Sequence, residues 1–313
     1  MADVHSKPPV SMHVEKTCIE NTLIRKPALR YHGAKFRLAP WIMSFFPVHR
    51  CYVEPFGGAA GVLLQKPRAY AEVYNDLDGD VVNFFTVLRD PVQREQLIEA
   101  CRLTPYARAE FDQAWEDAAD PVERARRIAI RAQMGFGSAG ASKGTTGFRI
   151  DTKRACGTAQ QHWADYPDAL TAVARRFTGV LIENRPAIDV MKQHDDENTL
   201  HFVDPPYMHE TRVRGAGKAR YYRHEMTDDQ HGALLDAVLQ LKGMVVISGY
   251  ATEMYADRLA TWSTHQTSAR ISAGRGGACR IEHVWVNPRC VDGLAQRDSQ
   301  LFASEQRAEV ARG

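Results

Sequence analysis

The sequence predicts an α/β protein whose parallel sheet is interrupted by a mostly helical insertion. Three observations carry that expectation. Short apolar strands recur at Cys51-Tyr52-Val53-Glu54, Ala71 to Tyr74, Val180-Leu181-Ile182, Leu200-His201-Phe202-Val203, Met244-Val245-Val246-Ile247 and Ile281 to Val286. Helical patterns at Val81 to Leu88 and Thr227 to Leu241 separate some of them. Between Asp90 and Thr178 strand signals stop, and helical stretches at Val92 to Ala100 and Glu123 to Gln133 replace them. Strand, Gly-rich turn, helix, strand and terminal acid follow one another from Cys51, which is the opening of a Rossmann-like α/β unit.

Taken in order, residues 1–24 are polar and aperiodic and read as a mobile tail without chemistry. Leu38 to Phe46 is an amphipathic helical run stopped by Pro47. Gly61 to Lys66 reads as the start of a helix. The core is expected at 25–89 and 179–290, split by an insert at 90–178 that contains the Gly/Ser/Thr-rich segment Gly135 to Phe148, with a polar tail at 291–313. The length of 313 residues allows such a core with an insertion, and 44% hydrophobic with 25% charged residues excludes a disordered or fibrous chain. Six cysteines, at 18, 51, 101, 156, 279 and 290, have neither metal-ligand spacing nor the density of a disulfide scaffold. No apolar run approaches the roughly 18 residues of a membrane span. A soluble, cytoplasmic protein that uses no metal is expected.

The sharpest motif is His201-Phe202-Val203-Asp204-Pro205-Pro206-Tyr207. A strand stops at a carboxylate, and two prolines then forbid helix and ladder bonding and fix the backbone. Ligands of open α/β sheets bind beyond the C-terminal ends of strands, so this corner holds the Asp204 carboxylate, the Pro205 carbonyl and the Tyr207 ring in a crevice. Carboxylate and carbonyl can each accept one N–H of a planar amine while the ring stacks on its base. The bland reading is a strand-ending turn, which the other motifs make the weaker one. Val53-Glu54-Pro55-Phe56-Gly57-Gly58-Ala59-Ala60-Gly61 is a strand feeding small residues that permit close ligand approach, and it lacks the spacing of a pyrophosphate cradle. Asp76, ending the next strand about 20 residues on, is placed to accept from ribose hydroxyls.

In order along the chain, Arg30-Tyr31-His32-Gly33-Ala34-Lys35, Glu54-Pro55-Phe56-Gly57-Gly58-Ala59, Tyr74-Asn75-Asp76 and Asp204-Pro205-Pro206-Tyr207 resemble the Dam-like, D12-type N6-adenine DNA methyltransferases of the alpha motif order. Ser248-Gly249-Tyr250 and Glu282 to Pro288 add to the likeness. The resemblance implies a Rossmann-like methyltransferase core with an inserted target-recognition domain, S-adenosylmethionine as cofactor and double-stranded DNA as partner. It implies Tyr31, Gly33, Lys35, Glu54, Pro55, Phe56, Gly57, Asp76, Asn184, Arg185 and Asp204 around the cofactor, and Asp204, Pro205, Pro206 and Tyr207 as catalytic. Methyl transfer to N6 of a flipped-out adenine, in a bacterial or phage-infected cell, follows from it, with DNA methylation or restriction-modification as the setting.

Charge is segregated. Residues 124–176 hold ten Lys/Arg against three Asp, 205–224 five against one Glu, and 268–280 three against none, although the whole chain carries only +2. Phosphate contact requires such segregation. Lys143, Arg149, Lys153, Arg154, Arg212, Arg214, Lys218, Arg220 and Arg275 are therefore the expected DNA contacts, whereas Arg124 to Arg131 have the spacing of a solvated helix face. An RNA N6-adenine methyltransferase and a catalytically silent DNA-binding relative are the alternatives. A nicotinamide oxidoreductase is disfavoured by the missing phosphate fingerprint.

Overall fold

A computed structural model describes residues 24–31, 33–137, 147–150, 157–208, 224–271 and 278–310. Among the described residues seven strands form one sheet: β1 (Cys51–Glu54), β2 (Ala71–Asn75), β3 (Leu181–Glu183), β4 (Thr199–Val203), β5 (Met244–Gly249), β6 (Ser263–Ile271) and β7 (Ala278–Val286). Their spatial order is β3-β2-β1-β4-β5-β7-β6. The first five are parallel, and β7 pairs antiparallel with both β5 and β6. Chain direction across the sheet reverses between β1 and β4, so a crevice opens beyond Glu54 and Val203. Every residue of β4 and β5 is buried, which is why both read as continuous apolar runs.

Among the described residues eleven helices surround the sheet: α1 (Ala39–Met43), α2 (Gly79–Arg89), α3 (Pro91–Leu103), α4 (Arg108–Gln113), α5 (Pro121–Met134), α6 (Ala159–Ala164), α7 (Tyr166–Phe177), α8 (Ala187–Gln193), α9 (Asp228–Leu239), α10 (Glu253–Arg258) and α11 (Pro288–Val310). Their starts are written locally. Asp78, Asp90 and Asp120 cap α2, α3 and α5 through side-chain acceptance of backbone N–H groups, and Pro occupies the first turn of α3 and α5. Thr158 with Gln161, and Thr227 with Gln230, form capping boxes on α6 and α9.

The helices α3 to α7 share one hydrophobic cluster with α2 and the sheet. Phe85 of α2 stacks on Phe177 of α7 with ring centroids 4.2 Å apart, and Tyr74 of β2 meets both edge-on. Two expectations differ from the structure, and one strand was not expected. Gly61 to Lys66 forms successive turns in place of a helix, because Leu63 N–H is taken by the Glu54 carboxylate and not by a helical carbonyl. Strand β6 carries no apolar signal; as the sheet edge it has no second neighbour to demand one. The stretch expected as a polar tail from 291 is helical to Val310, held where Cys290 is buried and Arg297 donates to the carbonyls of Ser44 and Phe46. Among the described residues no helix is long and apolar enough to cross a membrane.

Candidate active site

The crevice at the switch point is a cavity of about 210 Å³. Loop residues Tyr31, Gly33 and Lys35, the turn after β1 from Glu54 to Gly58, Asp76 and Asp78 after β2, and Asp204 and Pro206 after β4 line it. Of the site residues expected from the sequence, Pro205, Tyr207, Asn184 and Arg185 stand outside this lining, Pro205 and Tyr207 in the corner that follows Asp204. Asn184 donates to the Asp76 carbonyl at 2.6 Å, and the Arg185 N–H donates to Asn75 Oδ1 at 2.9 Å. They hold the end of β2 from behind.

At the end beyond β2, Asp76 accepts from Gly58 N–H at 2.8 Å through Oδ2 and from Asp78 N–H at 2.8 Å through Oδ1. Burial pushes its carboxyl up to about 6, against those two hydrogen bonds. Gly58 adopts φ +46°, a left-handed conformation that aims its N–H at Asp76. Gly57 is small for a different reason than the sequence suggests: a Cβ there would come within 2.2 Å of the Tyr74 ring, so the residue is demanded by packing beneath it. Glu54 is 2% exposed and accepts from Tyr52 Oη at 2.7 Å and Leu63 N–H at 3.0 Å. Burial above all, with Asp204 adding, pushes it up to about 8. Tyr31 donates to Asp78 Oδ2 at 3.3 Å.

At the other end, Asp204 Oδ1 receives both Lys35 Nζ at 2.9 Å and Ser248 Oγ at 2.7 Å. Burial raises the Asp204 carboxyl above the ordinary range, and Lys35 and Ser248 hold it back. Burial acts to lower Lys35, yet Asp204 and Glu282 together raise it. Lys35 also donates to the Gly33 carbonyl at 2.9 Å and to the Tyr207 hydroxyl, and lies 4.7 Å from that ring's centroid. Tyr207 in turn donates to Glu282 Oε2 at 2.9 Å, and its ring lies 4.3 Å from Tyr250. Pro205 is buried at the corner.

Sequence reasoning overlooked Asp78, Met226 and Gln230 on the cavity wall, and the roles of Ser248 and Glu282 at the corner. The run Asn75-Asp76-Leu77-Asp78-Gly79-Asp80 held a signal for Asp78, since alternate acids before a helix serve a turn and a cap in succession. Among the nine expected DNA contacts, Arg149 alone falls within the described residues; Lys143, Lys153, Arg154, Arg212, Arg214, Lys218, Arg220 and Arg275 lie outside them. Arg149 is 8% exposed, because its N–H bonds the Met134 carbonyl and Tyr106 donates to its own carbonyl, drawing it against α5. The α5 arginines are committed internally as well: Arg124 and Arg131 to Asp80, Arg126 and Arg127 to Glu123. They are not the solvated face that their spacing suggests. Among the described residues no three His, Cys, Asp or Glu side chains gather where a metal could bind.

A DNA adenine methylase of Haemophilus influenzae is 32% identical to this chain over 89 residues, which are 28% of this chain and 30% of that protein. The likeness to that relative therefore spans under a third of its length. A family model described as D12 class N6 adenine-specific DNA methyltransferase matches residues 31–261, a span that begins at Tyr31 on the cavity wall and encloses β1 to β5 with the Asp204 corner. On that match, over most of the chain and all of the cavity lining, the protein belongs to the D12 class N6 adenine-specific DNA methyltransferases.

Proposed function

We propose that this protein transfers a methyl group from S-adenosylmethionine to the N6 amine of an adenine in duplex DNA, the base being turned out of the stack into the crevice. The observation that carries this reading is the state of Asp204. Both of its donors use Oδ1, which leaves Oδ2 for an incoming N–H at the mouth of the cavity. In this reading Oδ2 and the Pro205 carbonyl each accept one hydrogen of the amine, and Tyr207 stacks on the base. Unstacking costs a few kcal/mol, which a waiting aromatic face offsets in part.

The cavity suits an adenosyl cofactor. Asp76 presents a carboxylate for a vicinal diol, Phe56 and Pro206 add apolar surface, and the Asp204 carboxylate favours a cationic centre beside it. When bound, the cofactor supplies an electrophilic methyl group on a sulfonium that leaves as a neutral thioether. The chain's work is then to orient: Asp204 and the Pro205 carbonyl pull the amine hydrogens out of the ring plane, so that the nitrogen lone pair is released from conjugation and aimed at the donor. The proton lost from the alkylated nitrogen has Asp204 as its nearest acceptor.

Lys143, Lys153, Arg154, Arg212, Arg214, Lys218, Arg220 and Arg275 supply phosphate and base contacts in this reading, from the basic segments 124–176, 205–224 and 268–280 of the sequence. Each phosphate contact removed should lower the salt slope of DNA binding by about one. The decisive experiment incubates the protein with S-adenosylmethionine and unmethylated genomic DNA and maps N6-methyladenine by sequencing. Modified adenine in a single sequence context is the expected result; no modified adenine in any context would overturn the reading, and modification of RNA alone would move it to the other nucleic acid.

A further inference from the structure

A carboxylate on a buried strand face is costly unless its surroundings answer it. Glu282 is such a group. It is 7% exposed, next in the chain to Ile281 at 54% and two residues before buried Val284, so it occupies the inward face of β7. The register places His283 opposite Gly249, the last residue of β5, so Glu282 is the first residue of β7 to overhang the parallel sheet at its C-terminal edge. That edge is the one where the crevice opens.

From this geometry we infer that Glu282 is a positioning residue for the methyl transfer, holding the Tyr207 hydroxyl directly and orienting Asp204 through the Lys35 ammonium that the two share. The inference rests on the function proposed above. Tyr207 is held at its hydroxyl by Glu282 and by Lys35, and on its ring by Tyr250 at 4.3 Å. A stacking ring already fixed spares the arriving base the cost of ordering it. Lys35 carries the same order onward, because its ammonium bonds Tyr207 and Asp204 Oδ1 together. Rotating Lys35 away would leave Oδ1 to Ser248 alone and loosen the distinction between the oxygen that is held and the one that faces the amine. Glu282 bonds the Tyr207 hydroxyl where a structural acid would cap a helix or close a turn.

The groups that face this cluster come from every neighbouring element. Lys35 comes from the loop before α1, Glu54 from β1, Asp204 and Tyr207 from the turn after β4, Tyr250 from the end of β5 and Tyr255 from α10. Glu282 raises both Lys35 and Asp204. Its charge therefore acts on both limbs of a rate profile that needs Asp204 ionised and Lys35 protonated.

The test compares the full chain with Glu282→Gln and Glu282→Asp. Glu282→Gln keeps an acceptor for Tyr207 without the charge. Its rate of single-turnover transfer should fall about tenfold or more with cofactor affinity unchanged, and both limbs of the pH profile should move to lower pH, by about one unit. Glu282→Asp keeps the charge but shortens the reach; it should lose rate while its limbs stay near those of the wild type, and it decides the matter should the Gln variant fail to fold. A second readout needs no turnover: the Lys35 side-chain resonance in ¹³C-lysine-labelled protein should titrate at lower pH in Glu282→Gln. Unmoved limbs together with an unmoved Lys35 titration would overturn the inference. A wild type that methylates nothing, while the Lys35 titration shifts as expected, would overturn the proposed function and leave the Glu282–Tyr207–Lys35 linkage standing.

Discussion

Two buried lysine–carboxylate pairs sit at opposite edges of the same sheet, and they are built to opposite ends. Lys35 and Asp204 meet at 2.9 Å beyond the C-terminal ends of the strands, while Lys66 and Glu72 meet at 2.8 Å where β2 begins. Glu72 is saturated. Arg176 forks onto both of its oxygens at 2.6 and 2.8 Å, Ala69 N–H adds a third donor, and Arg68 closes the end of α7 by donating to the carbonyls of Arg175, Arg176 and Thr178. Although burial opposes ionisation there, Arg176 and Lys66 hold the Glu72 carboxyl below its ordinary range. Among the described residues Asp204 has one cation and one hydroxyl, both on Oδ1, and its carboxyl is raised. A buried acid with every lone pair answered is a staple, here joining β2 to the helical segment; one left partly answered and ready to change partners can do chemistry.

The harshest way to break this contrast is Asp204→Ala. Transfer should fall by about a thousandfold or more, as losing a group that acts at the reacting centre does. Cofactor binding, followed by calorimetry, should persist; near-normal methylation by that variant would remove Asp204 from the chemistry. Next in size is Arg176→Ala, which leaves Glu72 partly unpaired and should cost about 3–5 kcal/mol in urea unfolding, with the kcat of the folded enzyme unchanged. If turnover collapsed while stability held, the two pairs would not differ as described.

The third prediction concerns pH. Glu72, depressed in the fold, contributes stability above its unfolded value and loses it as pH falls through the lower folded value. Glu54 and Asp76 behave in the opposite sense. Their carboxyls are pushed up to about 8 and about 6 from ordinary values of 4.5 and 3.8, so the fold favours their neutral forms and stability declines as pH rises between the two values of each group. Glu54→Gln should flatten that decline by a few kcal/mol between pH 5 and 9, read from thermal midpoints across buffers. A decline as steep as in the wild type would locate it elsewhere. The smallest effect is expected of Tyr31→Phe, which loses one hydrogen bond of 3.3 Å to Asp78 and should weaken cofactor binding by no more than about 1 kcal/mol.

Much of this architecture is legible in the chain alone, for local reasons. Strands β4 and β5 are largely apolar because both of their faces are covered, and the helix starts announce themselves by Asp and Thr caps. Strand β6 was hidden because an edge needs no apolar pattern, and α11 because its contacts with Phe45 and Phe46 cross the whole chain. The site divides similarly. Asp204, Tyr207, Asp76 and the Gly turn stand out by composition and order. Ser248 and Glu282 do not, since nothing local to either residue says that it faces a carboxylate or a tyrosine from another strand.

What the sequence by itself determined is the parts and their order: a Gly-rich turn after one strand, an acid ending the next, a long helical stretch without strand signals, and an Asp-Pro-Pro-Tyr corner behind an apolar strand. Rigid prolines, small residues and strand-ending acids act within a few residues, so their consequences are local. Only the tertiary structure decided which charges are spent and which are available. The arginines of α5, which as a sequence look like a basic face, are consumed by Asp80 and Glu123, while a single lysine near the start of the described chain is delivered to Asp204. Charge in a sequence is a sum over the chain, whereas electrostatic work falls off within a few ångströms and is set by which groups the sheet brings together.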